Sequence, residues 1–426
     1  MDEIGFSVLM LLLVAWAVAS RLLARFNVTG AMVFIAAGYV FANPTWGVIV
    51  VDVDAPSMHL LVELTLALLL FSDAAREKLD RLRRDALLPT RLLAVGLPLS
   101  LLLGTLFAAW IFDDYSWALA GFVGATLAPT DAALSAPVIN DERLSHRVRS
   151  GLNVESGLND GMATPIVAFS LAVVASELSL GDHGDSAETG ALVELALGVL
   201  VGVSVGLVGA GLITLGSRRG WMVPGGRRFA TLPLALASFA IAASLDGNGF
   251  VAAFVAGLAF GATLPSDVTR VEEAVELPQL LGELLALVVW FFFGAALLPV
   301  ALQHVSVSTV LYAFLSLTVV RMVPVAVALL GSGTDKATVL FLGWFGPRGL
   351  ASVVFALLAV EELGASPVVM QAVSVVTLTV LLSVVLHGLS AAPLGGRFLH
   401  NQSAHKGIPN RGHIRNPVEA SDGDRT

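Results

Sequence analysis

Residues 121–138 read GFVGATLAPTDAALSAPV, and residues 341–358 read FLGWFGPRGLASVVFALL. Both are apolar runs interrupted at the middle by a proline beside a charge, Pro129 with Asp131 and Pro347 with Arg348. Proline removes a backbone donor and its ring clashes with the preceding turn. The first helix is therefore expected to open around Ala128 to Asp131, and the second over Gly346 to Gly349. Unwound backbone at membrane depth is tolerated only where it is buried in protein or faces water. Two broken membrane helices in corresponding halves of one chain point to a transporter built from inverted repeats, with its site near the midplane. A simple proline kink is the lesser alternative for either break alone. The ionised residue beside each argues against that for both.

The rest of the chain fits a membrane setting. Of 426 residues, 56% are hydrophobic and 13% charged, where a soluble domain has about 25% charged residues; mean hydropathy is +0.84. This excludes a soluble enzyme with a large extramembrane domain. The lack of cysteine excludes disulfides, thiolate metal sites, iron–sulfur clusters and cysteine nucleophiles. A net charge of -9 argues against a nucleic-acid partner. Apolar runs between polar breaks give spans at 4–23, 29–49, 57–73, 92–112, 117–137, 151–176, 191–216, 229–246, 248–263, 279–299, 306–330, 337–360 and 367–393. The fold class is thus an all-α polytopic membrane protein of about 13 transmembrane helices, each needing ~20 apolar residues.

Basic residues test this count, because cytoplasmic loops collect them. With the first helix running outside to inside, every Lys and Arg except Arg321 and Arg348 falls on the cytoplasmic side. One missed helix would scatter them over both sides, so the N-terminus is expected outside and the C-terminus inside. The acidic leader and full-length first apolar run read as a membrane helix and not as a cleaved signal peptide. The outside loops are acidic or neutral, as with Asp52, Asp54, Asp113, Asp114 and the stretch from Glu177 to Glu188. Asp267, Glu272, Glu273 and Glu276 mark a cytoplasmic surface linker helix. After Leu399 the chain is polar and aperiodic, which reads as a disordered tail with solvated histidines.

Charges inside spans are functional candidates, since each costs at least ~2.5–3.5 kcal/mol at the bilayer centre. Asp73, Glu194 and Glu283 lie near span ends, where snorkelling accounts for them. Glu63 is deeper and is a candidate for lining a water-filled funnel. Asp131, Glu155, Asp160, Arg321 and Arg348 have no such escape. In GLNVESGLNDGMATPIV (151–167), Ser156 and Asp160 are helical neighbours, as are Glu155 and Asn159. A hard monovalent cation prefers oxygen ligands. The Asp160 and Asp131 carboxylates, the Ser156 hydroxyl, Thr130 and waters would supply a Na+ site; helix–helix hydrogen bonding is the alternative role for Ser156, Thr130 and Asn159. Glu155 needs a counter-charge. Arg321 is the favoured partner and Arg348 the second, and either pair would be structural.

The segments GATLAPTDAALSAPV, NVESGLNDGMATPIV, GNGFVAAFVAGLAFG, WFGPRGLASVVFALL and VVLHGLSAAPL together resemble the signature segments of the monovalent cation:proton antiporters, in the branch of the sodium/proton exchangers, over residues 5–395. The resemblance implies a homodimer in the lipid bilayer, each protomer having a scaffold and a mobile core that holds the broken helices. It divides the chain into scaffold helices at 1–91, core at 92–190, linker and scaffold at 191–300, core at 301–395 and a tail at 396–426. It implies that Asp160 is the ion-binding aspartate and Asn159 its partner, that Thr130 and Asp131 are unwound-helix ligands, that Glu155 and Arg321 form the core ion pair, and that Arg348 is the arginine of the second broken helix. The plasma membrane, in bacteria the inner one, is the expected location. The cargo is Na+, with Li+ or K+ as alternatives, against H+; no cofactor is implied. LALLLFSDA (66–74) is a looser match and gives Asp73 no role. Only a short stretch follows the last helix, so regulation by a large cytoplasmic domain is not expected.

Rival readings fit less well. Intramembrane aspartyl proteases also place two aspartates on neighbouring helices, but their second one follows Gly-x-Gly, where this chain has Leu158-Asn159-Asp160. A channel would need a filter-like repeat, which is lacking. GVSVGLVGAGLITLG (202–216), with Gly206, Gly209 and Gly211, follows no strand and reads as close helix packing, not a dinucleotide loop. A transporter is expected, not an enzyme. Asp160 would be neutralised by a proton or by a cation, and that competition alone gives exchange; Asn159, which cannot titrate, makes it one-for-one.

Overall fold

Capping residues and prolines set where the helices start and stop. The computed structural model describes residues 3–43, 46–47, 49, 56–77, 87–131, 134, 144–178 and 187–405, and all regular structure among them is helical. In chain order the helices are α1 (Glu3–Ala24), α2 (Gly30–Phe41), α3 (Pro56–Arg76), α4 (Leu87–Ile111), α5 (Trp117–Thr126), α6 (His146–Glu177), α7 (Ala187–Arg218) and α8 (Pro224–Ser244). They continue as α9 (Gly249–Thr263), the short α10 (Val271–Ala274), α11 (Glu276–Gln303), α12 (Val307–Leu317), α13 (Val319–Ala328), α14 (Lys336–Trp344), α15 (Leu350–Leu363) and α16 (Pro367–His405). Among the described residues, eight helical stretches are long and apolar enough to cross a membrane, and α2, α5 and α9 are shorter apolar helices. The chain is a multi-pass integral membrane protein. Its large exposed apolar side chains, among them Val18, Trp110 and Val307, form a surface that suits lipid rather than water.

Several spans differ from the sequence reading for local reasons. The second helix stops at Phe41 rather than 49, because Pro44 disfavours helical backbone at the residue before it. The chain turns there, with the Gly47 N–H donating to the Asn43 carbonyl at 2.8 Å. Helices α4 and α11 each contain one widened π turn, Leu92–Gly96 and Phe293–Leu297. In both, a proline follows two residues later (Pro98, Pro299), and the wider turn relieves its clash with the carbonyl one turn back. The region expected as a disordered tail from 396 is helical through His405. Extending a helix already nucleated costs little, so polar residues after Leu399 do not end it. Residues 406–426 lie outside the described part, as do Asp52, Asp54, Lys78, Arg81, Arg83, Arg84, Arg143 and most of the stretch from Glu177 to Glu188.

Packing falls into two groups. Helices α2, α3, α7, α8, α9 and α11 pack on one another, with α9 lying against α3, α7 and α8. Helices α4, α5, α6, α12, α13, α14, α15 and α16 form the other group, and the two meet where α6 touches α3, α7 and α9, where α15 touches α3 and α11, and where α16 touches α11 and α2. Small residues allow the close approaches. On α7, Gly198, Gly202 and Gly206 lie against the α9 carbonyls of Asn248, Ala252 and Ala256. Gly209 faces Leu234 on α8, whereas Gly211, expected from the sequence to pack closely as well, faces open space.

Candidate functional site

The first break begins where α5, capped by the Ser116 hydroxyl accepting the Leu119 N–H (3.1 Å), ends at Thr126. Pro129 cannot continue the ladder, and the chain leaves the helix through Thr130 and Asp131. Of the expected span 117–137, residues 132, 133 and 135–137 lie outside the described part. The second break runs from Phe345 to Gly349, between α14 and α15.

The two breaks are tied directly to each other. The Asp131 N–H donates to the Pro347 carbonyl at 2.8 Å, and the Leu350 N–H to Asp131 Oδ2 at 3.3 Å. Asp131 thus caps α15 from across the crossing, where a helix N-terminus favours an anion. Ser352 Oγ donates to the Thr126 carbonyl at 2.6 Å. Arg348 is wholly buried and donates to the carbonyls of Ala128 (2.8 Å), Pro129 (3.3 Å) and Ser316 (3.0 Å). Carbonyls freed by a broken helix need donors, and one guanidinium supplies three of them. Close approach explains the glycines: a side chain on Gly349 would collide with the Asp131 carboxylate, and one on Gly346 with Arg321 and Thr130.

Arg321 makes a two-pronged pair with Glu155, Nη1 to Oε1 at 2.5 Å and Nη2 to Oε2 at 3.0 Å, both side chains 3% exposed. The expectation that Arg348 belonged to this ion pair is corrected: Arg321 satisfies both Glu155 oxygens, and Arg348 serves backbone carbonyls.

Thr130, Ser156 and Asn159 meet where the first break faces α6. Thr130 Oγ1 and Ser156 Oγ are 3.3 Å apart, and Asn159 Nδ2 donates to Thr130 Oγ1 (2.8 Å) and to the Thr130 carbonyl (3.2 Å). Asn159 Oδ1 is buried without a hydrogen-bond partner. Asp160, one residue on, has no donor to its carboxylate among the described residues; its charged neighbours are Asp131 and Asp73. The structure therefore joins Thr130, Ser156 and Asn159 directly. It holds Asp131 toward α15, and keeps Asp160 next to the cluster without a hydrogen bond to it. Among the described residues, no three carboxylate or imidazole groups converge as a resident metal site would require.

The sodium/hydrogen exchanger transmembrane family model matches residues 8–396. The chain belongs to that family. It is 26% identical over 408 residues to the K(+)/H(+) antiporter NhaP of Alkalimonas amylolytica, covering 92% of this chain and 67% of that protein. It is 27% identical to the K(+)/H(+) antiporter NhaP2 of Shewanella baltica over 79% of this chain and 57% of that one. The chain thus spans between somewhat over half and two thirds of the length of these curated relatives. Its fold is similar to that of the sodium proton antiporter MjNhaP1 from Methanocaldococcus jannaschii, solved at pH 8, with a TM-score of 0.74, 19% identity, and coverage of 93% of this chain and 99% of that one.

In this member of the exchanger family, three features escaped the sequence. Asp73, assigned to snorkelling from its place near a span end, lies within electrostatic reach of both Asp131 and Asp160. A cavity of about 420 Å³ runs between α6, α7, α9 and α15, from Thr164, one turn beyond Asp160, to Glu194 and Glu362. Glu63, the expected funnel residue, is not among its lining residues. His59 on α3 pairs with Glu361 on α15 at 2.6 Å, a contact between the two packing groups. The signal for the cavity and the His59 contact was the acidic pair Glu361-Glu362 ending an apolar span, but only the fold shows what they face.

Proposed function

We propose that the chain is a monovalent cation/proton antiporter that exchanges one Na+ for one H+, with Asp160 as the group for which they compete. The observation that carries this reading is the Asp160 carboxylate standing, among the described residues, without a donor beside an oxygen cluster at the helix breaks, where Asn159 Oδ1 is also unpaired. Hard cations take oxygen ligands. Asp160, Asp131, Ser156 and Thr130 would provide the Na+ ligands, with Asn159 Oδ1 as a further oxygen. A bare carboxylate is costly to carry through an apolar interface, whereas a proton or a cation neutralises it. Only the occupied site then crosses, and exchange follows.

The core that moves, elevator-fashion, would be residues 92–190 and 301–395, against a scaffold of 1–91 and 191–300. The grouping of α4–α6 with α12–α16 is consistent with this division. About 13 crossings with N-terminus outside and C-terminus inside satisfy the basic-residue pattern, in a homodimer in the plasma (bacterial inner) membrane. On that topology the cavity opens outward with Glu194 and Glu362 at its mouth, where they would concentrate cations. A second reading, K+ as the cation, is favoured by the names of the two curated relatives.

The deciding experiment uses purified protein in proteoliposomes with an internal pH dye, challenged in turn with Na+, K+ and Li+. Cation-driven proton movement, strongest with Na+, is expected. Asp160→Asn should abolish it while the protein stays folded, because an amide cannot trade a proton for a cation. Normal exchange by folded Asp160→Asn protein would overturn the assignment of the shared site.

A further inference from the structure

In an α-helix the N–H of residue 348 bonds the carbonyl of residue 344. At the second break these two groups do not meet, yet both are satisfied. The Arg348 N–H donates to Ser383 Oγ at 2.7 Å, and the Trp344 carbonyl lies 2.9 Å from His387 Nε2. Ser383 Oγ and His387 Nδ1 are 3.2 Å apart. Ser383 and His387 are themselves one turn apart on α16 and are 0% and 2% exposed. We propose that Ser383 and His387 are positioning residues that splice the missing helical hydrogen bond across the second break, and so hold the Pro347 carbonyl and the Leu350 N–H where they fix Asp131.

A relay through all four groups requires one placement of the protons. A carbonyl only accepts, so His387 Nε2 carries the hydrogen toward Trp344. The relay needs a neutral ring with Nδ1 bare. Nδ1 then accepts from the Ser383 hydroxyl, which in turn accepts from the Arg348 N–H. The result is one directional relay, Arg348 N–H to Ser383 Oγ–H to His387 to the Trp344 carbonyl. Nδ1 also lies 2.9 Å from the Ser383 carbonyl; only a doubly protonated or Nδ1–H ring could donate there, and either would break the relay. The Trp344 carbonyl takes a second donor, the Gly346 N–H at 2.8 Å, so the splice also pins the turn that carries Gly346. The Trp344 ring rests against the imidazole with centroids 5.2 Å apart, and its Nε1–H donates to Ser390 at 2.9 Å, which fixes the ring position.

The proposal rests on the antiporter reading only for its transport readout. Nitrogen-15 NMR of histidine-labelled protein in nanodiscs, with His387 assigned by its disappearance in His387→Gln, should show the neutral Nε2–H tautomer. An Nδ1–H or imidazolium signal overturns the relay whatever the protein transports. In proteoliposomes, His387→Leu and Ser383→Ala should each raise the KM for the driving cation about tenfold, the effect of one buried group left unpaired. The double variant should do no worse than either single one, since both cut the same chain. His387→Gln, whose amide offers an acceptor and a donor, should bring KM back to within about twofold of the original protein. Unchanged KM in His387→Leu or Ser383→Ala, or a His387→Gln protein as impaired as His387→Leu, overturns the proposal. If His387→Leu does not fold, Ser383→Ala and the NMR signal carry the same decision. Failure of the unaltered protein to couple any cation to protons would sink the antiporter reading and leave the tautomer result standing.

Discussion

Glu155 and Arg321 are both out of water and satisfy each other through two parallel hydrogen bonds, a geometry that offsets the cost of burying two charges only while both are present. Glu155→Ala should therefore destabilise the protein by ~3–5 kcal/mol, because Arg321 is left uncompensated. The double change Glu155→Ala with Arg321→Ala should recover part of the lost thermal stability in detergent. No recovery would show that the pair does not act as a strut. This pair was legible in the sequence because two isolated opposite charges in apolar spans have few ways to be satisfied. Arg348 was not legible in the same way. Its partners are backbone carbonyls, which every residue carries, so nothing in the side-chain sequence singles them out.

Among the elements, the nine-residue α14 depends on its first turn. Asp335 caps it, accepting the Thr338 N–H at 2.9 Å and the Thr338 hydroxyl at 2.7 Å. The Thr338 hydroxyl, with help from nearby N–H groups, holds the Asp335 carboxyl below the usual carboxylate range. A lowered value means the folded state binds the proton less readily than the unfolded one. The cap's contribution is therefore complete above the unfolded aspartate's value of about 3.9 and fades as pH falls through the folded value. Asp335→Ala should cost ~1 kcal/mol at neutral pH, seen as a lower Tm. The gap between the two proteins should narrow only below about pH 4. A gap independent of pH down to acid denaturation would show that the charge plays no part. At this scale the sequence marked both breaks through Pro129 and Pro347. It misplaced the end of α16, because polarity after Leu399 says little about a helix already propagating.

For the whole molecule, the question is how many charges move in one cycle. Asn159 beside Asp160 cannot titrate, and Asp131 is committed to the N-terminus of α15, so one proton should exchange for one cation without net charge. A net charge per cycle would couple transport to voltage by ~2.3 kcal/mol per 100 mV, far more than a tenfold change in driving force. Cation-driven proton movement should therefore keep its initial rate and end point when a voltage is imposed, with K+ and valinomycin if the cargo is Na+. A strong voltage dependence would rule out one-for-one exchange. Asp131 and Asp73, two carboxylates within electrostatic reach of Asp160, would then be the candidates for a second proton.

Residue chemistry and spacing along one chain determined the membrane setting, the helical class, the two breaks and the residues at them. Hydrophobic length, proline geometry and the cost of a charge in lipid are local properties that any fold must respect. Beyond the Glu155–Arg321 pair, tertiary structure alone decided which partner each group found. Arg348 reaches carbonyls in the first break and on α12, Asp131 caps a helix more than two hundred residues away in sequence, and Asp73 comes within electrostatic reach of Asp160. Each of these joins segments distant in the chain, and the pairing depends on how the helices cross, which no local pattern encodes.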